Sequence, residues 1–434
     1  MNEATSCGSA EGPAMAKDRQ GKGLWIAIGL IFLVVPTALA AATGLWVLTA
    51  ISIGFLFGFF LQKGDLCGAS AISEVILFRD RRKAFGFWVA IVTSMLVFAA
   101  LDLLGVVKLN PKPLFWVNTI VGGIIFGAGT VLAGGCVSGC LYKAGAGNLN
   151  SIVALLGIPL GVAAVLGGPL SGMNHALKKV LIKAEGGAPV TVSTLTGLPF
   201  WVLALLFAAI TLAATLWWRA RHPVKEPTGD VRRGRRRNPL FRSWKPWTAG
   251  LAIGLLAIVA WPSSAASGRN YPLGVTHGVY DVEVLAFESN LIHVYQPAAA
   301  RPAPKTAPAL DLPQGAVKKA PARPKGHRVF WWLVALVVAL MAGSHVSARL
   351  SGQSMLLPRE PGETLVALFG GILVGAGAAI GGGCMIGNVL SGIGQLSVAA
   401  IPFTICTVLA NWAVTYYYLM GGTWPFRGAQ ERSS

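Results

Sequence analysis

Residues 122–139 read GGIIFGAGTVLAGGCVSG, and residues 370–387 read GGILVGAGAAIGGGCMIG. Aligned without gaps, the two stretches are identical at ten of eighteen positions, and both end in the pattern GGC-x-x-G. The alignment makes Cys136 and Cys384 equivalent positions of an internal repeat. A hydrophobic chain that repeats a glycine-rich break around a thiol predicts a pathway between two halves, lined by sulfur.

The composition indicates a protein that lies in a membrane and is surrounded by lipid. Of the 434 residues, 54% are hydrophobic and only 12% are charged, and the mean hydropathy is +0.62. A water-exposed surface needs more polar residues than this. Many apolar runs approach the roughly 20 residues that span hydrocarbon, and about nine to ten crossings are expected. The predicted fold class is an all-α polytopic membrane protein with two pseudo-symmetric repeats, whose short re-entrant or broken helices meet at a central constriction.

The net charge of +19 comes from basic residues in the loops between apolar runs and does not indicate a nucleic-acid site. Lysine and arginine concentrate at 17–22, 79–83 and 219–245, close to the ends of apolar runs. The positive-inside rule places these three stretches, and therefore the N-terminus, in the cytoplasm. No nucleic-acid-binding motif surrounds the most basic run, RRGRRRN at 232–238, so no nucleic-acid partner is expected.

The composition also divides the chain. Pro and Ala with scattered Lys dominate residues 296–328, and such a segment buries too little apolar surface to fold, so a mobile tether is expected there. The predicted organisation is a polar tail (1–22), a first membrane repeat (23–218), a basic cytoplasmic linker (219–245), a second membrane repeat (246–420, with the insert at 296–328) and a C-terminal tail (421–434).

The glycines before each repeated cysteine have two readings. Small residues let helices pack closely, as in GxxxG pairs. Glycine also lets a helix break at membrane depth, which exposes N–H groups and the positive end of a helix dipole to an anion. Because the cysteine recurs in register, the second reading is favoured, and Gly135 and Gly383 are predicted to line the substrate pathway with Cys136 and Cys384.

A third cysteine, Cys67, lies in the sequence QKGDLCGA, where Lys63 and Asp65 interrupt an apolar stretch. The charges indicate a turn at the membrane edge or the tip of a re-entrant segment. A lone cysteine is most often a small buried apolar residue, but one flanked by glycine beside charged groups is a better site candidate. Asp65 and Cys140, one helical turn after Cys136, are further candidates, as is Asn388, which takes the place of Cys140 in the second copy.

Thiols suit a sulfur-bearing anion. An S–H group is a weak donor and sulfur is a soft acceptor, so several neutral thiols in series bind an anion without trapping it. The six cysteines contain no C-x-x-C pair and no Cys/His spacing typical of zinc, and no G-x-x-x-x-G-K-[ST] motif is present. No metal, cofactor or catalytic residue is therefore predicted.

The segments GDLCGASA (64–71), AGGCVSGCLYKAGAGNLNS (133–151) and GGGCMIGNVLSGIG (381–394) together resemble the YeeE/YedE sulfur-transport family of bacterial inner-membrane proteins. The resemblance implies thiosulfate uptake, with Cys67, Cys136 and Cys384 as the functional cysteines. It also implies a soluble sulfur-carrier protein as a cytoplasmic partner. Some members are associated with selenium metabolism, so a selenium or other sulfur species is an alternative substrate.

Two other functions stay open at this point. A membrane thiol-disulfide oxidoreductase would use reactive cysteine pairs, of which only Cys136 and Cys140 are close in sequence. Alternatively, the glycine-cysteine breaks are purely structural parts of a transporter for something else.

Overall fold

The computed structural model describes residues 13–182, 189–221, 239–296, 327–354 and 361–421. The described chain is helical almost throughout, with a single pair of short strands, β1 (Leu291–Val294) and β2 (His327–Phe330). Its α-helices are α1 (Pro13–Thr43), α2 (Thr49–Gly64), α3 (Gly68–Leu77), α4 (Arg82–Leu103), α5 (Trp116–Leu132), α6 (Val137–Gly145), α7 (Leu149–Leu166), α8 (Ser171–Leu177), α9 (Val192–Thr196), α10 (Phe200–Arg221), α11 (Pro246–Ala266), α12 (Thr276–Phe287), α13 (Trp331–Ser351), α14 (Pro361–Ile380) and α15 (Ala400–Val414).

Nine helical segments of the described residues are long and apolar enough to cross a membrane. This finding confirms the predicted class of an all-α, multi-pass membrane protein. Short 3₁₀ helices (Trp46–Leu48, Pro239–Phe241) and two π-helical segments (Met385–Ile393, Thr415–Leu419) complete the helical part of the structure.

The bundle has two faces, which are defined by the helix ends that meet there. At the end of α2, the Lys63 carbonyl accepts from Trp244 N–H (2.8 Å), and Lys63 Nζ donates to Ser351 Oγ (2.7 Å) at the end of α13. We call this the linker face. At the other ends of α13 and α11, Trp332 Nε1 donates to Ser263 Oγ (2.8 Å). We call this the strand face, because β1 and β2 also lie there.

Helices of the two halves of the chain pack reciprocally. Helix α2 lies along α13 and runs parallel to it, and α4 lies along α11 in the same way. Helix α14 likewise packs along α7, and α15 packs along α5. Because α2 runs from the strand face to the linker face and α11 runs back, the two halves cross the bundle in opposite senses. Two repeats of inverted orientation would produce this set of contacts.

Glycines bring α5 and α14 together at the centre of the bundle. The two helices pack antiparallel, and a Cβ atom on Gly377 would lie 2.4 Å from the backbone nitrogen of Phe126. Only glycine permits so close an approach. The first glycines of each repeated stretch therefore serve helix packing.

The last glycines of each stretch instead interrupt the helix. Helix α5 ends at Leu132 and α14 ends at Ile380, and the chain then turns through Gly134 (φ 68°) and Gly382 (φ 73°), both left-handed. Gly383, at φ 152°, is also in a conformation that favours glycine. After each turn a new short helix begins, α6 in the first half and the π-helix Met385–Ile393 in the second. The repeated sequence thus forms a broken helix twice.

Several predicted boundaries fall partly outside the described residues. Helix α10 ends at Arg221 and α11 begins at Pro246, while 222–238 of the predicted linker lie beyond the described ranges. The same holds for 297–326 of the Pro/Ala-rich insert and for the terminal stretches 1–12 and 422–434. The last two residues of the predicted insert, His327 and Arg328, belong to β2, which pairs in parallel with β1, with Leu291 opposite His327. Helix α1 begins at Pro13, and the part of it that is long and apolar enough to cross a membrane is Lys22–Thr43.

Candidate functional site

Each of the three predicted cysteines is the N-cap residue of a short helix. Cys67 precedes α3, Cys136 precedes α6, and Cys384 precedes the π-helix Met385–Ile393; all three have extended backbone. The carbonyl of each cysteine accepts the first hydrogen bond of its helix, at 2.8 Å. A helix N-terminus carries about half a positive elementary charge and unpaired N–H groups, so each thiol stands at a position that favours an anion.

The three thiols share one buried core. All three side chains are fully buried, and they belong to a single contiguous cluster of packed residues. The Sγ atoms of Cys67 and Cys136 are 3.7 Å apart, and Cys136 Sγ lies 3.3 Å from Ser138 Oγ. Cys384 is connected to this pair through the next residue, Met385, whose side chain packs against Gly68, the neighbour of Cys67.

Glycine makes room for this cluster. A Cβ atom on Gly139, in the first turn of α6, would lie 2.4 Å from Cys67 Sγ. On the other side, a Cβ atom on Gly68 would meet the side chain of Met385 at 3.0 Å. Helices α3 and α6 and the π-helix therefore approach one another at their N-terminal ends, where only small residues fit.

Cys140 and Asn388 turn toward the breaks in the helices. Cys140 Sγ lies 3.7 Å from the carbonyl oxygen of Gly135, and Asn388 Nδ2 donates to the carbonyl of Gly383 at 2.7 Å. Gly135 and Gly383 thus contribute backbone to the same two sites. Cys406 lies on α15, and Cys7 lies outside the described residues.

A cavity of about 320 Å³ opens on the strand face beside the second break. Its lining includes Lys112, Arg269, Tyr271, Thr276 and both Gly382 and Gly383, and none of its described lining residues carries a carboxylate. A concave site with two cations and no carboxylate is suited to an anion.

Lys112 connects the cavity to the second break. Its Nζ atom donates to the carbonyl of Gly382 (2.6 Å) and to Asn388 Oδ1 (2.5 Å), and it lies 5.4 Å from the centre of the Tyr271 ring. A Cβ atom on Gly383 would lie 2.7 Å from this ammonium group, which would then have to move, and the backbone conformation of Gly383 (φ 152°) also favours glycine. Burial lowers the pKa of Lys112 to about 7; nearby Cys384 opposes this shift and Arg269 adds to it.

Arg269 is held without a carboxylate partner in hydrogen-bonding contact. Its Nη1 atom donates to the carbonyls of Pro272 (2.9 Å) and Tyr271 (3.1 Å), and its guanidinium lies 5.3 Å from the centre of the Tyr271 ring. Burial lowers the pKa of Arg269 to about 10, so the group is still cationic at neutral pH. Thr276, the first residue of α12, is 3% exposed, and its Oγ1 atom has no hydrogen-bond partner among the described residues.

The linker-face end of the thiol cluster also carries charged residues, and here they are of both signs. Asp65 ends α2 in a left-handed conformation (φ 44°) and accepts a hydrogen bond from Tyr142 Oη (2.8 Å). Lys83 pairs with both Asp65 and Glu74. Lys143 Nζ donates to the carbonyl of Gly134 at 2.7 Å. Acidic and basic groups meet at this end, in contrast to the purely cationic cavity.

Sequence reasoning missed the cavity residues Lys112, Arg269, Tyr271 and Thr276. A signal was present in YPLGVTHG (271–278), which aligns weakly with GDLCGASA (64–71) around Cys67. Lys112 lies between two prolines just before α5, a position that gives no hint of the second break 270 residues later. Among the described residues, no group of three His, Cys, Asp or Glu side chains is arranged to hold a metal ion.

Comparisons with known proteins agree with the resemblance found in the motifs. The profile of the sulphur transport family matches residues 63–413. A thiosulfate transporter, TsuA, from Spirochaeta thermophila is 31% identical over 380 residues, covering 85% of this chain and 98% of that protein. The thiosulfate transporter TsuA of Escherichia coli K12 is 28% identical over 345 residues, covering 79% and 86%. The probable transporter YedE of Salmonella typhimurium is 31% identical over 142 residues, about a third of each chain.

Proposed function

The chain belongs to the sulphur transport family, and we propose that it takes up thiosulfate through the cluster of Cys67, Cys136 and Cys384. In this proposal the anion arrives in the strand-face cavity, passes the thiols and leaves at the linker face. The observation that carries the proposal is the pair of thiols 3.7 Å apart, each at a helix N-terminus, in the same buried core as Cys384. Cys384 directly follows Gly383, which lines the cavity that holds the two cations.

The cavity supports the first step, capture of the anion. Two unit charges about 4 Å apart attract by about 4 kcal/mol at the effective dielectric constant of a protein surface. Lys112 and Arg269 together offset part of the cost of removing water from a dianion. The unpartnered hydroxyl of Thr276 and the N-terminus of α12 add hydrogen-bond donors at the same place.

The thiols support the second step, passage through the buried core. The core offers the anion weak S–H donors and the N–H groups at three helix N-termini, without a strong ion pair that would hold it. The soft outer sulfur of thiosulfate is the atom best matched to a row of thiol sulfurs. Gly135 and Gly383 supply backbone at the two breaks. Neutral thiols are required, because thiolates would repel the anion.

The direction of transport is assigned in this proposal from the positions of the basic loops. Arg79, Arg81, Arg82 and Lys83 lie between α3 and α4 or at the start of α4, on the linker face. With this face in the cytoplasm of a bacterial inner membrane, the strand-face cavity opens outward, as uptake requires. A soluble sulfur-carrier protein is proposed to receive the anion at the linker face.

A second candidate function is thiol-disulfide exchange, which is favoured by the same pair of thiols. Cys67 and Cys136 are adjacent in space, although the sequence indicated only Cys136 and Cys140 as neighbours. An oxidoreductase would need this pair to alternate between dithiol and disulfide during turnover. Alkylation of the native protein with and without a reductant distinguishes the two functions, since a transporter keeps both thiols free.

Growth on thiosulfate as the sole sulfur source tests the proposal, in a bacterial host without its own sulfate and thiosulfate importers. We expect growth with the wild-type protein and none with Cys136→Ala, while Cys406→Ala, outside the thiol cluster, grows normally at equal expression. Competition by selenium and other sulfur anions in the same assay identifies the preferred substrate. Failure of the wild type to support growth on thiosulfate would refute thiosulfate uptake.

A further inference from the structure

The two broken helices leave three successive carbonyl groups without helical partners, and in both halves side chains at matching positions contact them. Helix α5 ends at Leu132, and the carbonyl oxygens of Ala133 and Gly135 lie 3.9 and 3.7 Å from Cys140 Sγ. In the second half, the carbonyls of Gly381 and Gly383 accept from Asn388 Nδ2 at 3.1 and 2.7 Å. The end of a helix normally leaves such groups unpaired.

The correspondence holds position by position. Cys140 and Asn388 each come four residues after the cysteine of the break, and the carbonyls that each contacts come three residues and one residue before it. The carbonyl between them is bonded by a lysine in both halves. Lys143 Nζ donates to Gly134 (2.7 Å), and Lys112 Nζ donates to Gly382 (2.6 Å).

These carbonyls lie beside the cysteines that are proposed to carry the anion. A helix C-terminus has about half a negative elementary charge on its free carbonyls, and this charge would repel an anion. The Asn388 amide has two hydrogens and donates to both of its carbonyls, whereas the single hydrogen of the Cys140 thiol serves one of its two carbonyls at a time. These donors reduce the repulsion and hold the carbonyl oxygens away from the thiols of the breaks. The positive N-terminus of the following helix then remains as the nearest backbone charge.

We infer that Cys140 and Asn388 are positioning residues, which hold the carbonyl groups of the two breaks and so orient the backbone at Cys136 and Cys384. The inference rests on the proposed function for its effect on transport, though not for its effect on geometry. Cys140 is therefore not a fourth site on the anion's route, although it lies one helical turn from Cys136. The amide of Asn388 donates at shorter distances than the thiol of Cys140, so the second break is held more firmly.

Two substitutions at each position separate hydrogen bonding from packing. Cys140→Ser keeps a donor, whereas Cys140→Ala removes it. Asn388→Cys installs the group that the other half uses, whereas Asn388→Leu removes the donor at similar volume. Asn388 also accepts from Lys112, and both Asn388→Cys and Asn388→Leu lose this acceptor, so the difference between these two variants reports on the donor.

The test measures alkylation of the purified protein by N-ethylmaleimide, without thiosulfate, with the rate at each cysteine followed by peptide mass spectrometry. We expect Cys140→Ala to change the rate at Cys136 at least threefold and to leave Cys384 unchanged, and Asn388→Leu to do the reverse. Cys140→Ser and Asn388→Cys should lie within twofold of the wild type.

Thiosulfate uptake by the same variants is the second readout. The donor-removing variants should lower the maximal rate several-fold. KM should change little in Cys140→Ala, because neither Cys140 nor the carbonyls that it contacts line the cavity. Unchanged alkylation in Cys140→Ala and Asn388→Leu, or equal defects in the alanine and serine variants of Cys140, would overturn the inference. If Asn388→Cys reproduces the effect of Asn388→Leu, the role assigned to the Asn388 amide as a donor is wrong. A wild type that carries no thiosulfate refutes the proposed function, while the alkylation pattern still decides the inference.

Discussion

The Sγ atom of Cys67 lies 3.7 Å from the Sγ atom of Cys136, although 69 residues separate them in the sequence. Each of the two cysteines is the N-cap residue of a short helix, so the contact brings together the positive N-terminal ends of two helices. A channel for a soft anion needs weak donors at such a point, and an oxidoreductase needs a reactive pair. The predictions below separate these uses and test the cavity.

Oxidation of the thiol pair should block transport reversibly. Diamide takes two hydrogen atoms from two thiols and becomes a hydrazine, and the two sulfurs join as a disulfide. In wild-type proteoliposomes we expect thiosulfate uptake to fall at least tenfold after diamide treatment and to return with dithiothreitol, because a cross-link removes both S–H donors. Mass spectrometry should find Cys67 joined to Cys136. Full uptake by protein in which this disulfide has been demonstrated would contradict the account.

Uptake should weaken as the pH on the strand face rises through about 7. The pKa of Lys112 is lowered to about 7, so the ammonium is mostly charged at pH 6 and about tenfold depleted at pH 8. Thiosulfate stays a dianion over this range, and Arg269 stays cationic. The pKa of His277 is lowered to about 4 by desolvation, with Arg269 and Lys112 adding to the shift, so its ring stays neutral. The other titratable groups beside Lys112 are Tyr271 and Cys384.

We therefore expect KM for thiosulfate to rise up to about tenfold between pH 6 and pH 8. Lys112→Arg, which keeps its charge throughout, should remove most of this dependence. Initial uptake rates at several thiosulfate concentrations give KM at each pH. The same pH profile in Lys112→Arg as in the wild type would exclude Lys112 as the titrating group.

Removal of Arg269, the second cation of the cavity, should weaken the capture of thiosulfate more than its passage through the thiol cluster. Arg269→Gln deletes the guanidinium charge in the cavity, and we expect KM to rise about tenfold, or about 1.4 kcal/mol, with the maximal rate within threefold of the wild type. Lys108→Gln is the matched control, since Lys108 is an exposed cation of the loop between α4 and α5 that does not line the cavity. Equal KM values for the two variants would show that Arg269 does not contribute to capture.

The hydroxyl of Thr276 should lower the thermal stability of the free protein and raise its affinity for thiosulfate. Its Oγ1 atom is buried with no partner, which costs free energy unless a ligand accepts its hydrogen. Thr276→Val keeps the shape of the side chain, so the melting temperature of the detergent-solubilised protein should be equal or higher. The KM for thiosulfate should rise several-fold at the same time. A lower melting temperature with an unchanged KM would show that the hydroxyl serves the fold instead.

The sequence allowed prediction of the features that depend on local backbone chemistry. The doubled GGC pattern predicted broken helices around Cys136 and Cys384, and the left-handed turns at Gly134 and Gly382 are there. The charges beside Cys67 predicted a turn, and Asp65 forms it. The family resemblance is confirmed by the match over residues 63–413.

Features that depend on long-range packing could not be predicted in this way. The loop that carries Lys112 reaches a carbonyl 270 residues later, at Gly382. Arg269 is surrounded by its own loop and by aromatic rings, so no complementary carboxylate marks it in the sequence. The orientation of Cys140 was also hidden, because helical spacing alone places it near Cys136 without showing that its thiol faces the carbonyls of the break.

Uptake of ³⁵S-labelled thiosulfate by proteoliposomes tests the central claim most directly, with Cys67→Ala, Cys136→Ala and Cys384→Ala compared with Cys406→Ala at equal incorporation. The account predicts that each of the first three variants loses at least nine-tenths of the initial rate, while Cys406→Ala retains the wild-type rate. Wild-type rates in all three cluster variants would contradict it, because the thiols would then be packing residues and not part of the route of the anion.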